Sequence, residues 1–206
     1  MAHGKFRVLY SDIGGVLGTN GWDTDLRRRL YAHFNLSPNE IDPRHHLMFD
    51  SFERGHIRFE EYLKRVFFAS PREFSWQAVR DYTYSQSEPW PENIQFFSRV
   101  KKQNGLKLAL ISNEGEGITE YRVEKFRLRE LAEFLVISHF VHLRKPDHAI
   151  WKLALDLAQV TSSQSIYIDD REMFVDVARD LGFTAVHHTS LANTKEQFRS
   201  LGLEVD

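Results

Sequence analysis

The sequence has 206 residues, 42% of them hydrophobic, and its 27 basic and 29 acidic residues leave a net charge of −2. This near balance argues against nucleic acid as the main partner, because nucleic-acid-binding surfaces are usually basic. Cysteine is absent, which excludes disulfide bonds, thiolate nucleophiles and cysteine-based zinc sites. The first residues lack a sustained apolar segment, and apolar runs such as 108–111 are too short to span a bilayer. We therefore expect a cytoplasmic protein with no membrane partner.

The first predicted element is a strand in FRVLYSD that ends at Asp12 and is followed by a glycine-rich turn. From about residue 19 to residue 89 the pattern is almost wholly helical. Thr24 is expected to cap the first helix, the stretch 37–40 has the form of a capping box for the second, and Gly55 is expected to end it. Two further amphipathic helices follow, so this segment is expected to form a bundle of about four helices.

Helices and strands alternate after residue 90. Helices are predicted at 91–103, 118–131, 146–158 and 172–181, and strands at 106–111, 134–141, 165–168 and 183–186. This alternation is typical of a parallel sheet with helices on its faces.

Polar residues follow the ends of the predicted strands. In an open parallel sheet all carboxyl ends lie at one edge, where ligands bind, so residues distant in sequence meet in one crevice. The residues at or near these ends are Asp12, Ser112, Asn113, Lys145, Asp169 and Asp170.

The chemistry of these residues fits one task. Several carboxylates near each other are tolerated around a hard divalent cation, and oxygen ligands favour Mg²⁺. The Ser112 hydroxyl and nearby backbone N–H groups can hold phosphate oxygens, and Lys145 adds a positive charge. Asp12 can then act as a nucleophile on phosphorus. Each motif alone also fits a structural role, since the acidic pair suits a helix cap and the others suit a turn or a helix start.

Taken together, these motifs resemble the four motifs of the haloacid dehalogenase (HAD) superfamily, in the same order. SDIGGVL resembles the first with Asp12 as nucleophile, and ALISN the second with Ser112. RKPDHAIW resembles the third with Lys145, and IYIDDREMFVDVARDLG the fourth with its acidic pair. The resemblance implies an α/β fold, a Rossmann-like doubly wound parallel sheet from residues 1–18 and 90–206, with an inserted four-helix-bundle cap at 19–89.

The resemblance also implies an activity. FERGHIRFEEYLKRVF and the fourth motif are similar to the C1-capped branch that contains sugar-1-phosphate phosphatases and the phosphatase domain of soluble epoxide hydrolases. A Mg²⁺-dependent phosphatase is therefore expected, acting on a small phosphorylated metabolite through an aspartyl-phosphate on Asp12. The implied catalytic residues are Asp12, Ser112 and Lys145, the phosphate-binding residues Ser112, Asn113 and Lys145, and the metal ligands Asp12, the Gly14 carbonyl, Asp169 and Asp170.

Gly14 departs from the family pattern, which usually has a second Asp there to move protons. General acid–base catalysis contributes about 10²- to 10⁴-fold, so its loss matters. One alternative is that another group acts, with Glu114 and Glu116 as candidates. A second is a weak or inactive phosphate-binding or interaction protein, and a third is another transferase or a dehalogenase.

The loop FERGHIR between two helices of the insertion is the candidate substrate-reading segment, through Arg54, His56 and Arg58. A solvated turn with ordinary surface charges is the alternative. His139 and His142 are expected on a strand, where they would point to opposite faces, so no zinc site is predicted. The oligomeric state is left open.

Overall fold

The computed structural model describes residues 5–205, so residues 1–4 and 206 of the predicted core lie outside the described part. Five parallel strands form one sheet in the order β3-β2-β1-β4-β5. The strands are β1 (Val8–Ser11), β2 (Lys107–Ser112), β3 (Phe134–Ile137), β4 (Ser165–Asp169) and β5 (Thr184–His187). The predicted α/β Rossmann-like class is confirmed.

Helices connect these strands, and several of them cover the sheet. They are α1 (Thr24–His33), α2 (Pro38–Glu53), α3 (Phe59–Phe67), α4 (Trp76–Ser85), α5 (Pro91–Gln103), α6 (Ile118–Lys125), α7 (Leu128–Leu131), α8 (Ser138–Val141), α9 (His148–Ala158), α10 (Glu172–Asp180) and α11 (Leu191–Ser200), with a 3₁₀ turn at Ser162–Gln164. Within residues 5–205, no helix combines the length and apolar character that a membrane crossing requires.

The central strand β1 is buried on both faces, as a parallel sheet between helical layers requires. Alternate residues point to opposite faces, so Leu9 joins one hydrophobic core with Phe96, and Tyr10 joins the other with Trp151. Ser11, the last residue of β1, pairs in register with neighbours on both β2 and β4. Asp12 therefore emerges at the centre of the sheet edge.

Helices α1–α4, which we call the helical insertion, have a hydrophobic core of their own. Its centre is Tyr62, which is fully buried, stacks on Phe52 at 4.4 Å and accepts a hydrogen bond from Trp22 Nε1 at 3.0 Å. His45 Nδ1 lies 2.6 Å from the same hydroxyl. A polar network thus runs through an aromatic core and fixes the relative positions of α2 and α3.

The starts of three helices differ from the predictions. Helix α2 begins at Pro38 as expected, but the Ser37 side chain makes no capping hydrogen bond, so the capping box at 37–40 is not formed. Asp23, not Thr24, caps α1, because its carboxylate accepts a hydrogen bond from Leu26 N at 2.7 Å. Helix α9 begins at His148 rather than at residue 146.

The predicted strand at 134–141 was too long. It ends at Ile137, and residues 138–141 form the short helix α8, so His139 lies on a helix and His142 follows it in the left-handed region. The expectation that both histidines lie on a strand was therefore wrong. Helix α11 was not predicted, although Ser190 caps it by accepting a hydrogen bond from Asn193 N at 3.1 Å.

Candidate active site

Three carboxylates meet where β1 and β4 end. Asp12, Asp169 and Asp170 each place an oxygen within 4.8 Å of the others, and hydrogen bonding of Asp12 N to Ile168 O at 2.9 Å keeps the two strand ends together. Gly15 makes this approach possible. Its φ is +66°, and a β-carbon there would overlap the Asp170 side chain.

Lys145 neutralises part of this charge. Its ammonium nitrogen lies 2.6 Å from Asp169 Oδ2 and 3.1 Å from Asp12 Oδ1, and its side chain is fully buried. Burial disfavours the charged form, but the two carboxylates outweigh it and raise the pKa of Lys145. Lys145 is therefore a buried cation shared between two carboxylates.

The other two predicted phosphate-binding residues have different roles in this conformation. Ser112 is buried at the end of β2. Burial raises the pKa of the Asp12 carboxyl, while Lys145 and the Ser112 side chain act against this rise. The Asn113 side chain accepts from Lys145 N and donates to Lys145 O, both at 2.8 Å. Asn113 therefore holds the loop that carries Lys145, although it also lines the cavity described next.

A cavity of about 70 Å³ lies between the sheet edge and the helical insertion. From the sheet side it is lined by Asp12, Gly14, Ser112, Asn113, Glu114 and Lys145, and from the insertion side by Asn20, Trp22, Phe49, Phe52 and Glu53. The lining combines charged groups with aromatic side chains, as is common in small-molecule sites.

Asn20 fills the place beside Gly14. A β-carbon at Gly14 would overlap Asn20 Oδ1, so the amide occupies the space that a side chain at position 14 would need. The sequence predictions missed Asn20, because no motif distinguishes an asparagine in the segment that leads into the insertion. The sequence signal for such a residue is Gly14 itself, because the space left by its missing side chain has to be filled by a neighbouring residue.

The two candidate proton carriers after β2 have different environments. Glu114 is buried and lines the cavity. Glu116 instead accepts a hydrogen bond from Phe59 N at 2.6 Å and pairs with Arg58 at 3.3 Å. Glu116 therefore connects the loop after β2 to the start of α3.

The three predicted substrate-reading residues are not among the described residues that line the cavity; they are Arg54, His56 and Arg58. Arg54 pairs with Asp147 at 2.7 Å, and the His56 ring stacks on His142. The predicted reading segment thus lies on the contact between the insertion and the core. Arg144 reinforces this contact from the core side by pairing with Glu53 at 2.6 Å and Asp50 at 3.1 Å.

The acidic cluster suits a hard cation. Asp170 Oδ1 is buried and has no hydrogen-bond partner among residues 5–205, which leaves one oxygen available for a metal. Asp169 is more fully occupied, since it binds Lys145, Tyr167 OH and Arg171 N. Asp12 and Asp170 therefore fit a cation best, and oxygen-only ligands favour Mg²⁺.

Residues 57–187, more than half of the chain, match the family model described as haloacid dehalogenase-like hydrolase. The chain therefore belongs to the haloacid dehalogenase-like hydrolases. Asp12 precedes the matched segment, but β1 places it against β4, whose motif lies inside the match.

Solved structures share this fold. A HAD family enzyme from Bacteroides thetaiotaomicron, in complex with magnesium and inorganic phosphate, has a TM-score of 0.77 at 17% identity, covering 92% of this chain and 98% of its own. A predicted HAD-like family hydrolase from Porphyromonas gingivalis has a TM-score of 0.75 at 18% identity, covering 95% and 98%. An L-2-haloacid dehalogenase from Xanthobacter autotrophicus has a TM-score of 0.62 at 17% identity, covering 95% and 83%.

Proposed function

We propose that this protein is a Mg²⁺-dependent phosphatase that hydrolyses a small phosphorylated metabolite, with sugar phosphates as the first class to test. The observation that carries the proposal is the convergence of Asp12, Lys145 and the acidic pair Asp169–Asp170 at one edge of the sheet, beside the cavity that Asp12 and Lys145 line. The structural neighbour that was solved with magnesium and phosphate supports the same chemistry.

In this proposal Asp12 attacks the phosphorus atom and forms an aspartyl-phosphate, which water then hydrolyses. Lys145 holds the Asp12 carboxylate in place and, with the Ser112 hydroxyl, compensates charge on the phosphoryl oxygens. Mg²⁺ would be held by Asp12, Asp170 and the Gly14 carbonyl, with Asp169 close by, and would supply further charge neutralisation. Asn113 keeps the Lys145 loop in register.

We further propose that residues 19–89 act as a cap over the core formed by 1–18 and 90–206. The cavity of about 70 Å³ is well below the roughly 300–1,000 Å³ of sites for drug-sized ligands. This volume suits the reacting phosphoryl group, so the rest of a substrate enters only when the insertion moves. In the conformation described here, the residues of the predicted reading segment, Arg54, His56 and Arg58, help to hold the insertion against the core. They would contact a substrate only in a conformation in which the insertion has moved away from the core.

The alternative is a weak or inactive phosphate-binding protein, and Gly14 is the observation that favours it. The Asn20 amide beside Gly14 does not exchange protons near neutral pH as a carboxyl does. A dehalogenase is less well supported, because carbon–halogen cleavage at Asp12 gives the acidic cluster no role.

The test is release of inorganic phosphate from 4-nitrophenyl phosphate and from a panel of sugar phosphates. We expect turnover that needs Mg²⁺, stops with EDTA and falls to background in Asp12→Asn. Asp25→Asn is the matched control, since Asp25 is an exposed residue that pairs only with Arg28 among the ion pairs described. Binding of phosphate by the wild-type protein without turnover of any ester would establish the alternative instead.

A further inference from the structure

Glu114 lines the cavity and has one buried carboxylate oxygen without a hydrogen-bond partner among the described residues. The residue is only 5% exposed and follows β2 two positions after Ser112. Its Oε1 lies 3.1 Å from Arg122 Nε, whereas Oε2 is buried and has no hydrogen-bond partner among the described residues. One oxygen thus anchors the side chain to α6, and the other has an unused hydrogen-bonding capacity in a residue that lines the cavity.

Each of the other carboxyls of the cavity lining has one oxygen in a contact with another residue. Glu53 pairs with Arg144, Asp23 caps α1, and Asp12 pairs with Lys145. The remaining candidate from the sequence, Glu116, is bound to α3 and does not line the cavity. Three carboxylate oxygens of the described lining are buried without a hydrogen bond, and two of them, on Asp12 and Glu53, lie in ion pairs. The third, Glu114 Oε2, has no ion-pair contact within the described part of the chain, and Glu114 is neither the proposed nucleophile nor a proposed metal ligand.

The surroundings of Glu114 suit proton transfer. Burial raises its pKa to about 7, and the charges of Asp12 and Glu53 act in the same direction, while Arg122 and Lys145 oppose them. A carboxyl that gains and loses a proton near neutral pH is well matched to general acid–base work. Gly14 supplies no such group, and Asn20 beside it is an amide.

We propose that Glu114 carries the protons in the phosphatase reaction proposed above, on which this inference rests. In the first step Asp12 bonds to phosphorus, the ester P–O bond breaks, and the leaving oxygen takes the Glu114 proton. In the second step Glu114 takes a proton from water, the water oxygen bonds to phosphorus, and the Asp12–phosphorus bond breaks. Phosphate leaves and Glu114 is protonated again.

The test compares two leaving groups in wild type and Glu114→Gln. A 4-nitrophenolate leaves without a proton, whereas the alkoxide of glycerol 2-phosphate needs one. We expect kcat/KM for glycerol 2-phosphate to fall about 10²- to 10⁴-fold in the variant. For 4-nitrophenyl phosphate kcat/KM should change by only a few fold, because that ratio reports steps up to formation of the aspartyl-phosphate. The limb near pH 7 in the wild-type profile for glycerol 2-phosphate should also disappear.

Glu124→Gln is the matched control, since Glu124 is exposed on the same helix as Arg122. If Glu114→Gln fails to fold because Arg122 is left buried without its carboxylate, Glu114→Gln combined with Arg122→Met removes both charges. That double variant should show the same selective loss. An equal loss of kcat/KM for both esters, or no loss for either, would overturn the proposed role of Glu114 and leave the proposed phosphatase function standing. Absence of phosphate release by the wild-type protein would overturn the proposed function and this inference with it.

Discussion

Lys145 and Asp169 form an ion pair of 2.6 Å in which both side chains are fully buried. Removing one partner of a buried pair leaves an uncompensated charge, which typically costs about 3–5 kcal/mol. We therefore expect Lys145→Met to lower the free energy of unfolding by about that amount, as measured by urea denaturation in EDTA. Mg²⁺ should recover part of the loss, because a cation bound to the folded carboxylates stabilises that state.

Lys152→Met is the control for this variant, since Lys152 is exposed on α9. Surface substitutions of this kind usually stay within about 0.5 kcal/mol. Equal unfolding free energies for Lys145→Met and Lys152→Met would contradict the buried ion pair.

Gly14 and Asn20 should be energetically coupled. A methyl group at position 14 would overlap Asn20 Oδ1, so Gly14→Ala should destabilise the protein by about 1 kcal/mol. In the Asn20→Ala background the overlap is removed, and the cost should shrink by about 0.5 kcal/mol or more. A double-mutant cycle of urea denaturation measures this coupling, and strict additivity would show that Asn20 does not fill the gap.

His45 should make the helical insertion sensitive to acid. Burial lowers its pKa from 6.5 to about 3, with Arg27 and His46 adding to the effect and Asp42 opposing it. The unfolded chain thus binds a proton below pH 6.5 that the folded protein refuses until about pH 3. The contribution of His45 to the free energy of unfolding is therefore fully present above pH 6.5. It declines as the pH falls below that value, with a limiting slope of about 1.4 kcal/mol per pH unit.

We therefore expect wild type to lose about 1–2 kcal/mol more than His45→Gln between pH 7 and pH 5, as measured by urea denaturation. The amide introduced by this substitution can still hydrogen-bond to the Tyr62 hydroxyl but does not titrate. His148→Gln, at an exposed position, should follow the wild-type pH dependence. Parallel pH curves for wild type and His45→Gln would refute the assignment.

The sheet and its functional edge were predictable because they depend on local patterns and on one topological rule. Apolar runs predicted each strand, and parallel pairing then required Asp12, Ser112 and Asp169 to meet at one edge. The structure confirms that sheet, with Asp12 and Ser112 lining one cavity and Asp169 next to Asp12.

The remaining features depend on contacts that no local pattern encodes. Arg54 pairs with Asp147 from 93 positions away, so its role on the insertion–core contact follows only from the packing. Glu114 and Glu116 are two residues apart and chemically alike, so the sequence does not show which of them lines the cavity. In the structure Glu114 lines the cavity, whereas Glu116 contacts the start of α3. The short helix α8 was missed because apolar residues continue past Ile137 at Phe140 and Val141, so the apolar pattern does not mark the end of the strand.

The ion pair between Arg54 and Asp147 joins the end of α2 to the residue before α9, outside the cavity. Both side chains are partly exposed, so dissolved ions reach them, and at 0.1 M ionic strength charges are screened over about 10 Å. Separation of the insertion from the sheet must break this pair, while the buried pair of Lys145 and Asp169 remains intact. Ionic strength should therefore change how often Asp12 becomes accessible and leave the charge arrangement around Asp12 almost unchanged.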